Sequence, residues 1–184
     1  MTTNDHQMTI TQLIILTAGT IFIILFSWFV SLREKRYHGI PRFFVFEGIL
    51  ISGLLQADVW FKDPFSVLQI ISWILLLSSI PYAAGALILF HRHGEHGRNF
   101  ENTTKLVTNG LYKYIRHPMY AALLFLAWGI FLKDINIVSI IIIIIVTIAV
   151  FITCKIEEGE MIRKFGDEYK EYMQKTRLWI PLII

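Results

Sequence analysis

Charge is scarce in this chain. Only 17% of its 184 residues are Asp, Glu, Lys or Arg, while 55% are hydrophobic. A soluble domain of this size carries about 25% charge, so the composition excludes an ordinary water-soluble fold. Cysteine is almost absent. Cys154 stands alone, which excludes an internal disulfide and a CxxC metal pair; the residue is expected to be an inert packed thiol. The eleven glycines never fall as GxGxxG, so the dinucleotide-binding fingerprint is missing. No repeat of about 20–50 residues is visible. Residues 1–9 hold no Lys or Arg, and the apolar run behind them is too long for the core of a signal peptide, so no cleaved leader is expected. No nucleic-acid partner is expected either.

Apolar residues are abundant, and they come in blocks. Five segments can be drawn, at 10–32, 43–60, 65–90, 120–132 and 135–154. The first is uncharged throughout and long enough to cross a hydrocarbon core of about 30 Å. The second carries Glu47, Gln56 and Asp58; Asp58 is read as its outer end and Glu47 as snorkelling towards the headgroups. The third contains Pro81 and Gly85. The fifth includes the unbroken isoleucine run 140–145, which reads as strand in water. In lipid a lone segment must satisfy its own backbone, so it is helical. The expected fold is all-α and integral to the membrane, with about five transmembrane helices in one domain spanning 1–184. Only Lys133 and Asp134 join the last two segments, which predicts a tight helical hairpin. A helical tail follows, because Met161, Phe165, Tyr169 and Tyr172 recur at helical spacing.

Basic residues fall on one side of these segments. Fifteen lie in 33–42, 91–119 and the tail after 154, whereas only Lys62 and Lys133 lie in the alternate connections. The positive-inside rule then places the N-terminus outside and the C-terminal tail in the cytoplasm.

Two clusters of polar residues sit on that expected cytoplasmic side, in segments 91–119 and 155–184. One is Arg116-His117-Pro118-Met119-Tyr120, preceded by an Asn109-Gly110 turn. Pro118 suits the first turn of a helix, whose free amides favour an anionic group. The other is Glu157-Glu158, where the apolar run stops. A helix end prefers cations, so this pair calls for a partner unless the helix continues past it. Ionisable side chains at a bilayer boundary are costly to hold and mark a polar pocket. A third cluster, His91, His93, Glu95 and His96, lacks helix-face ligand spacing, and no metal site is expected there.

The series Leu106-Val107, Gly110, Tyr112, Arg116-His117-Pro118, Tyr120, then Glu157-Glu158, Phe165-Gly166, Tyr169, Tyr172 and Pro181 resembles the isoprenylcysteine carboxyl methyltransferase family, to which the phospholipid N-methyltransferases are related. The resemblance implies S-adenosylmethionine (SAM) as cofactor. By position, Lys105, Leu106, Val107 and Tyr112 would line the adenosyl pocket. His117, Pro118, Met119 and Tyr120 would hold the methionyl part, with Glu157 or Glu158. Arg116, His117 and Glu158 are the expected catalytic residues. Two positions depart from the prenylcysteine enzymes, which place a His where Thr104 stands and an Arg where Thr153 stands, with Lys155 nearby. Thr153 and Lys155 are carried over as acceptor-side residues. The implied acceptor is a small lipophilic molecule, of isoprenylcysteine carboxylate type, entering from the bilayer. The alternatives are phospholipid amine N-methylation and, in another class, a non-catalytic membrane scaffold or transporter subunit. A transporter favours polar residues at mid-membrane, whereas here they gather at one end.

Overall fold

The computed structural model describes residues 8–93 and 105–179, and every regular element among them is helical. The order is α1 (Ile10–Val30), α2 (Gly39–Leu55), α3 (Val67–His93), α4 (Pro118–Phe131), α5 (Ile137–Phe165) and α6 (Asp167–Lys175). Three stretches are long and apolar enough to cross a membrane, Ile10–Glu34, Val67–Leu89 and Ile137–Phe165, and Pro118–Phe131 is a shorter apolar helix.

Caps fix the starts. Thr9 and Gln12 form a capping box on α1, and Asn136 and Ser139 form one on α5; each satisfies amides that a helix start leaves orphaned. α1 and α2 run antiparallel. A 3₁₀ turn at Leu32–Glu34 and a left-handed Lys35 (φ 58°) reverse the chain between them. Glu47 does not snorkel. Its carboxylate accepts a 2.7 Å hydrogen bond from Thr20 on α1, so the acid is used between helices instead. Asp58 sits in a short 3₁₀ turn directly after α2.

Helix contacts are close where side chains vanish. A Cβ on Gly48 of α2 would lie 2.4 Å from Val146 of α5, and one on Gly129 of α4 would lie 2.8 Å from Leu76 of α3. Ser72 of α3 also donates to the Gly129 carbonyl at 2.7 Å. The principal pairs are therefore α2 with α5 and α3 with α4, although α4 and α5 also touch each other. The core runs through Val45, Tyr120, Ala127, Val146, Val150 and Cys154. Most of α1 and one face of α5 leave isoleucines and phenylalanines exposed, as lipid-facing helices do.

The bounds of two helices differ most from the sequence reading. The second segment begins at Gly39, because Pro41 falls in a first turn that tolerates it, and its helix stops at Leu55. α5 does not stop at Cys154; it continues eleven residues to Phe165. Its 29 residues make a rod of about 43 Å, some 13 Å more than the hydrocarbon core. Glu157 and Glu158 therefore lie within a helix, and the cation preference of helix ends is met later by Arg163 and Lys164. Gly166 (φ 59°, ψ −128°) breaks the rod, and α6 turns back.

Candidate functional site

Three chain segments meet at one end of the bundle: the α1–α2 turn, the segment 105–120 and the stretch from Glu157 to Trp179. A short parallel pairing holds the last two together. Arg116 N–H donates to the Arg177 carbonyl at 2.7 Å, His117 N–H to Leu178 at 3.1 Å, and Arg177 N–H to Tyr114 at 2.9 Å. This backbone clamp aims His117 and Pro118 into the start of α4, where Pro118 needs no amide partner. α6 adds a second tie, with the Tyr172 hydroxyl donating to the Tyr112 carbonyl at 2.6 Å.

The two glutamates have different jobs in this geometry. Glu158 is buried (3% exposed). It accepts from Arg116 Nε at 2.7 Å and from Lys155 Nζ at 2.8 Å. Arg116 is further held by the carbonyls of Met173 and Thr176. Arg116 and Glu158 thus form a closed ion pair that ties α5 to α6 and to the loop before α4. Glu157 instead faces a cavity of about 180 Å³. One oxygen accepts from Tyr120 at 2.6 Å; the other lies 3.5 Å from His117 Nδ1.

His117 is itself buried, and its Nε2 has no hydrogen-bond partner among the described residues. Burial alone would lower its pKa, but the carboxylates of Glu157 and Glu158 outweigh that effect and hold the imidazole above its ordinary value. Burial raises Tyr112, Tyr169 and Tyr172 as well, so all three are neutral phenols.

Of the residues singled out in the sequence, Leu106, Val107, Tyr112, Arg116, His117, Pro118, Met119, Tyr120 and Glu157 line the cavity. Glu158, Lys105, Thr153 and Lys155 do not line it. Lys105 is exposed. The Thr153 hydroxyl is buried and donates to the Ala149 carbonyl at 2.7 Å. Lys155 is about half exposed and serves Glu158. Cys154 is buried and accepts from the Trp179 indole at 3.1 Å. Glu95, His96 and Thr104 lie outside the described residues, as does Pro181. Among the described residues, no three His, Cys, Asp or Glu side chains are grouped to hold a metal ion.

Other lining residues carry no motif. Arg42 of α2 packs its guanidinium over Phe26 of α1 (5.2 Å to the ring centre) and donates to Ser31 at 2.6 Å. Phe26, Phe46 and Leu123 add apolar surface to the cavity wall, and Arg36 lines the cavity as well. His38 links the turn to α5, 3.1 Å from Glu160 and 3.5 Å from Glu157. The α1–α2 turn entered the sequence reading only as a count of cations, so its part in the site was missed; no local pattern marks it.

The cavity suits SAM. Leu106, Val107, Tyr112, Phe165 and Tyr172 offer an apolar, aromatic wall for a base and sugar. Glu157, His117 and the three arginines Arg36, Arg42 and Arg116 offer both signs of charge for a zwitterionic amino-acid tail. His117 Nε2, 3.8 Å from Glu158 Oε1 but without a hydrogen bond among the described residues, is the kind of buried polar atom that a ligand satisfies.

Residues 66–168 match the family model described as phospholipid methyltransferase. Over 136 residues the chain is 32% identical to methanethiol S-methyltransferase 1 of Bradyrhizobium diazoefficiens, covering 69% of this chain and 47% of the relative. Over 81 residues it is 38% identical to protein-S-isoprenylcysteine O-methyltransferase of Schizosaccharomyces pombe, covering 42% of this chain and 34% of the relative. Methanethiol S-methyltransferase of Pseudomonas deceptionensis is 28% identical over 71 residues, 39% of this chain and 26% of the relative. The chain spans less than half the length of each of these relatives.

Proposed function

The chain belongs to the phospholipid methyltransferase family, and we propose that it transfers a methyl group from SAM to a small lipophilic acceptor at the cytoplasmic face of a membrane. The carrying observation is the convergence of Arg116–Tyr120 and Glu157 on one cavity whose wall carries both charged and apolar side chains. SAM, when bound, supplies an electrophilic methyl carbon on a sulfonium. Tyr112, Leu106 and Val107 are assigned to the adenosyl part, and His117, Tyr120 and Glu157 to the charged tail. Arg116 and Glu158 act on the site by position. They fix the loop that carries His117, without lining the cavity through Glu158.

Phe26, Phe46 and Leu123 line the cavity and suit the apolar part of the acceptor. These residues exclude water, and holding two reactants in line supplies much of the acceleration. A carboxylate acceptor loses no proton. A thiol acceptor does, as does a primary or secondary amine, and the ionisable pair on the cavity wall, His117 and Glu157 at 3.5 Å, offers groups to take it. A second reading, amine methylation on a phospholipid headgroup, is favoured by the family whose model matches.

The test is incubation of membranes holding the protein with methyl-labelled SAM, followed by organic extraction and capture of volatile thioethers. Label in a small thioether or ester supports the first reading. Label in a phospholipid headgroup supports the second. SAM bound without transfer to any added lipid, thiol or carboxylate would remove both.

A further inference from the structure

Beside the reaction cavity lies a second pocket, of about 300 Å³, between the α1–α2 turn and the end of α5. Its rim carries Lys35, Arg36, Tyr37, Glu160, Arg163 and Lys164. Four cations face one carboxylate, and that carboxylate is already engaged, by Arg36 at 3.0 Å and by His38 at 3.1 Å. The pocket therefore carries a net positive potential. Its turn side is fixed, with Lys35 in the left-handed region and the Arg36 amide donating to the Ser31 carbonyl at 3.0 Å.

Position and surroundings say what kind of anion fits. The apolar stretch that begins with α1 ends at Glu34, in the turn after it, and the apolar run of α5 ends just before Lys155. The pocket thus sits at the level where lipid phosphates lie. Ile156 forms part of its wall. From there, one face of α5 runs down through Ile152, Ile148, Ile145 and Ile141, at helical spacing and 44%, 54%, 47% and 51% exposed. An apolar track that leads into a cationic pocket matches a molecule with acyl chains and an anionic head.

We propose that this pocket binds the phosphate of an anionic phospholipid, whose chains lie along the isoleucine track of α5. The site is separate from the methyl-transfer cavity but shares Arg36 and Met161 with its wall. The recognising chemistry is a phosphate met by several cations, and a free phosphate ion would share it.

Native mass spectrometry of the full chain released from nanodiscs tests the proposal without any cofactor. The discs contain phosphatidylcholine alone, phosphatidylcholine with about one-fifth phosphatidylglycerol, or phosphatidylcholine with millimolar inorganic phosphate. Phosphatidylglycerol is expected to be retained about tenfold over phosphatidylcholine, as a few kilocalorie-scale cation contacts allow. The doubly substituted Arg163→Gln/Lys164→Gln protein should lose that preference. A control with the same charge loss on α6, Lys170→Gln/Lys175→Gln, should keep it. Lys35→Gln, on the exposed turn, gives an independent partial loss should the double variant unfold. A phosphate adduct in the third disc, lost in the same variants, would support the site with a soluble source. No preference in any disc, or equal loss in variant and control, would overturn it and leave only diffuse surface attraction.

Discussion

At the residue scale, adjacent glutamates are separated by what they touch. Glu158 neutralises Arg116, whose side chain is 10% exposed. Removing one partner of such a pair strands a buried charge, at about 3 kcal/mol or more. Glu158→Gln should therefore lower the thermal midpoint in detergent by several degrees, while Lys155→Gln, on a half-exposed partner, should cost less than about 1 kcal/mol. An unchanged midpoint for Glu158→Gln would show the ion pair to be idle. His117 gives a pH signature. Its pKa is raised above 6.5 in the folded protein by the two carboxylates. Its pairing then stabilises the fold fully below that ordinary value and is lost as pH rises through the raised one. Wild-type midpoints should fall as pH rises above 6.5 relative to His117→Gln, and parallel curves would refute the coupling. Sequence could not separate the two glutamates, because neighbouring helical residues point about 100° apart and only the packing of α5 on α4 and α6 chooses between them.

At the element scale, Gly166 decides where α6 goes. Its φ of 59° and ψ of −128° are open to glycine almost alone. A Cβ there meets no atom within 4 Å, so Gly166→Ala tests the backbone by itself. A cost of about 1–3 kcal/mol is expected, with loosening of the Tyr172–Tyr112 and Arg116–Met173 ties. Hydrogen exchange of the α6 amides should rise while α2 and α3 stay protected; equal protection in both proteins would mean that α6 is held by side chains alone. The helical segments were legible because runs of isoleucine and leucine announce themselves. The end of α5 was not, since hydropathy registers only what lies in lipid. Glu, Met, Arg and Lys continue a helix as well as Leu does, so the rod runs eleven residues past its apolar part. Likewise the apolar run after Leu55 reads as more helix, yet Trp60 leaves it to stand near Lys133, 5.8 Å from the ring centre.

At the scale of the whole molecule, polar groups are sorted by end. Arg36, His38, Arg116, His117, Glu157 and Glu160 share one end. Lys133, Gln69, Trp60 and Trp73 share the other, with Lys133 Nζ 3.0 Å from Gln69 and 3.8 Å from the centre of the Trp73 ring. The basic asymmetry of the sequence leads to the expectation that the site end is cytoplasmic. In intact cells, Arg33→Cys and Glu168→Cys should resist a membrane-impermeant maleimide, and Lys62→Cys should react. Labelling of Arg33→Cys and Glu168→Cys on opposite sides would take the site apart. Residues within 106–120 and Glu157 were singled out in the sequence by their resemblance to a family pattern, and packing places most of them on one cavity. Phe26, Arg36, Arg42 and Phe46 were not, because only the packing of α1 on α2 and of α2 on α5 brings them to the cavity.

Glu157, at the wall of a cavity built from these remote segments, is proposed to hold SAM. Calorimetric titration of SAM into the detergent-solubilised protein, with a chelator present, tests it most directly. Wild type should bind. Glu157→Gln should bind at least about tenfold more weakly, the cost of about 1.5–3 kcal/mol for a lost charged hydrogen bond, and Glu168→Gln on exposed α6 should bind like wild type. Equal affinity in wild type and a correctly folded Glu157→Gln, or no SAM binding at all, would contradict the claim.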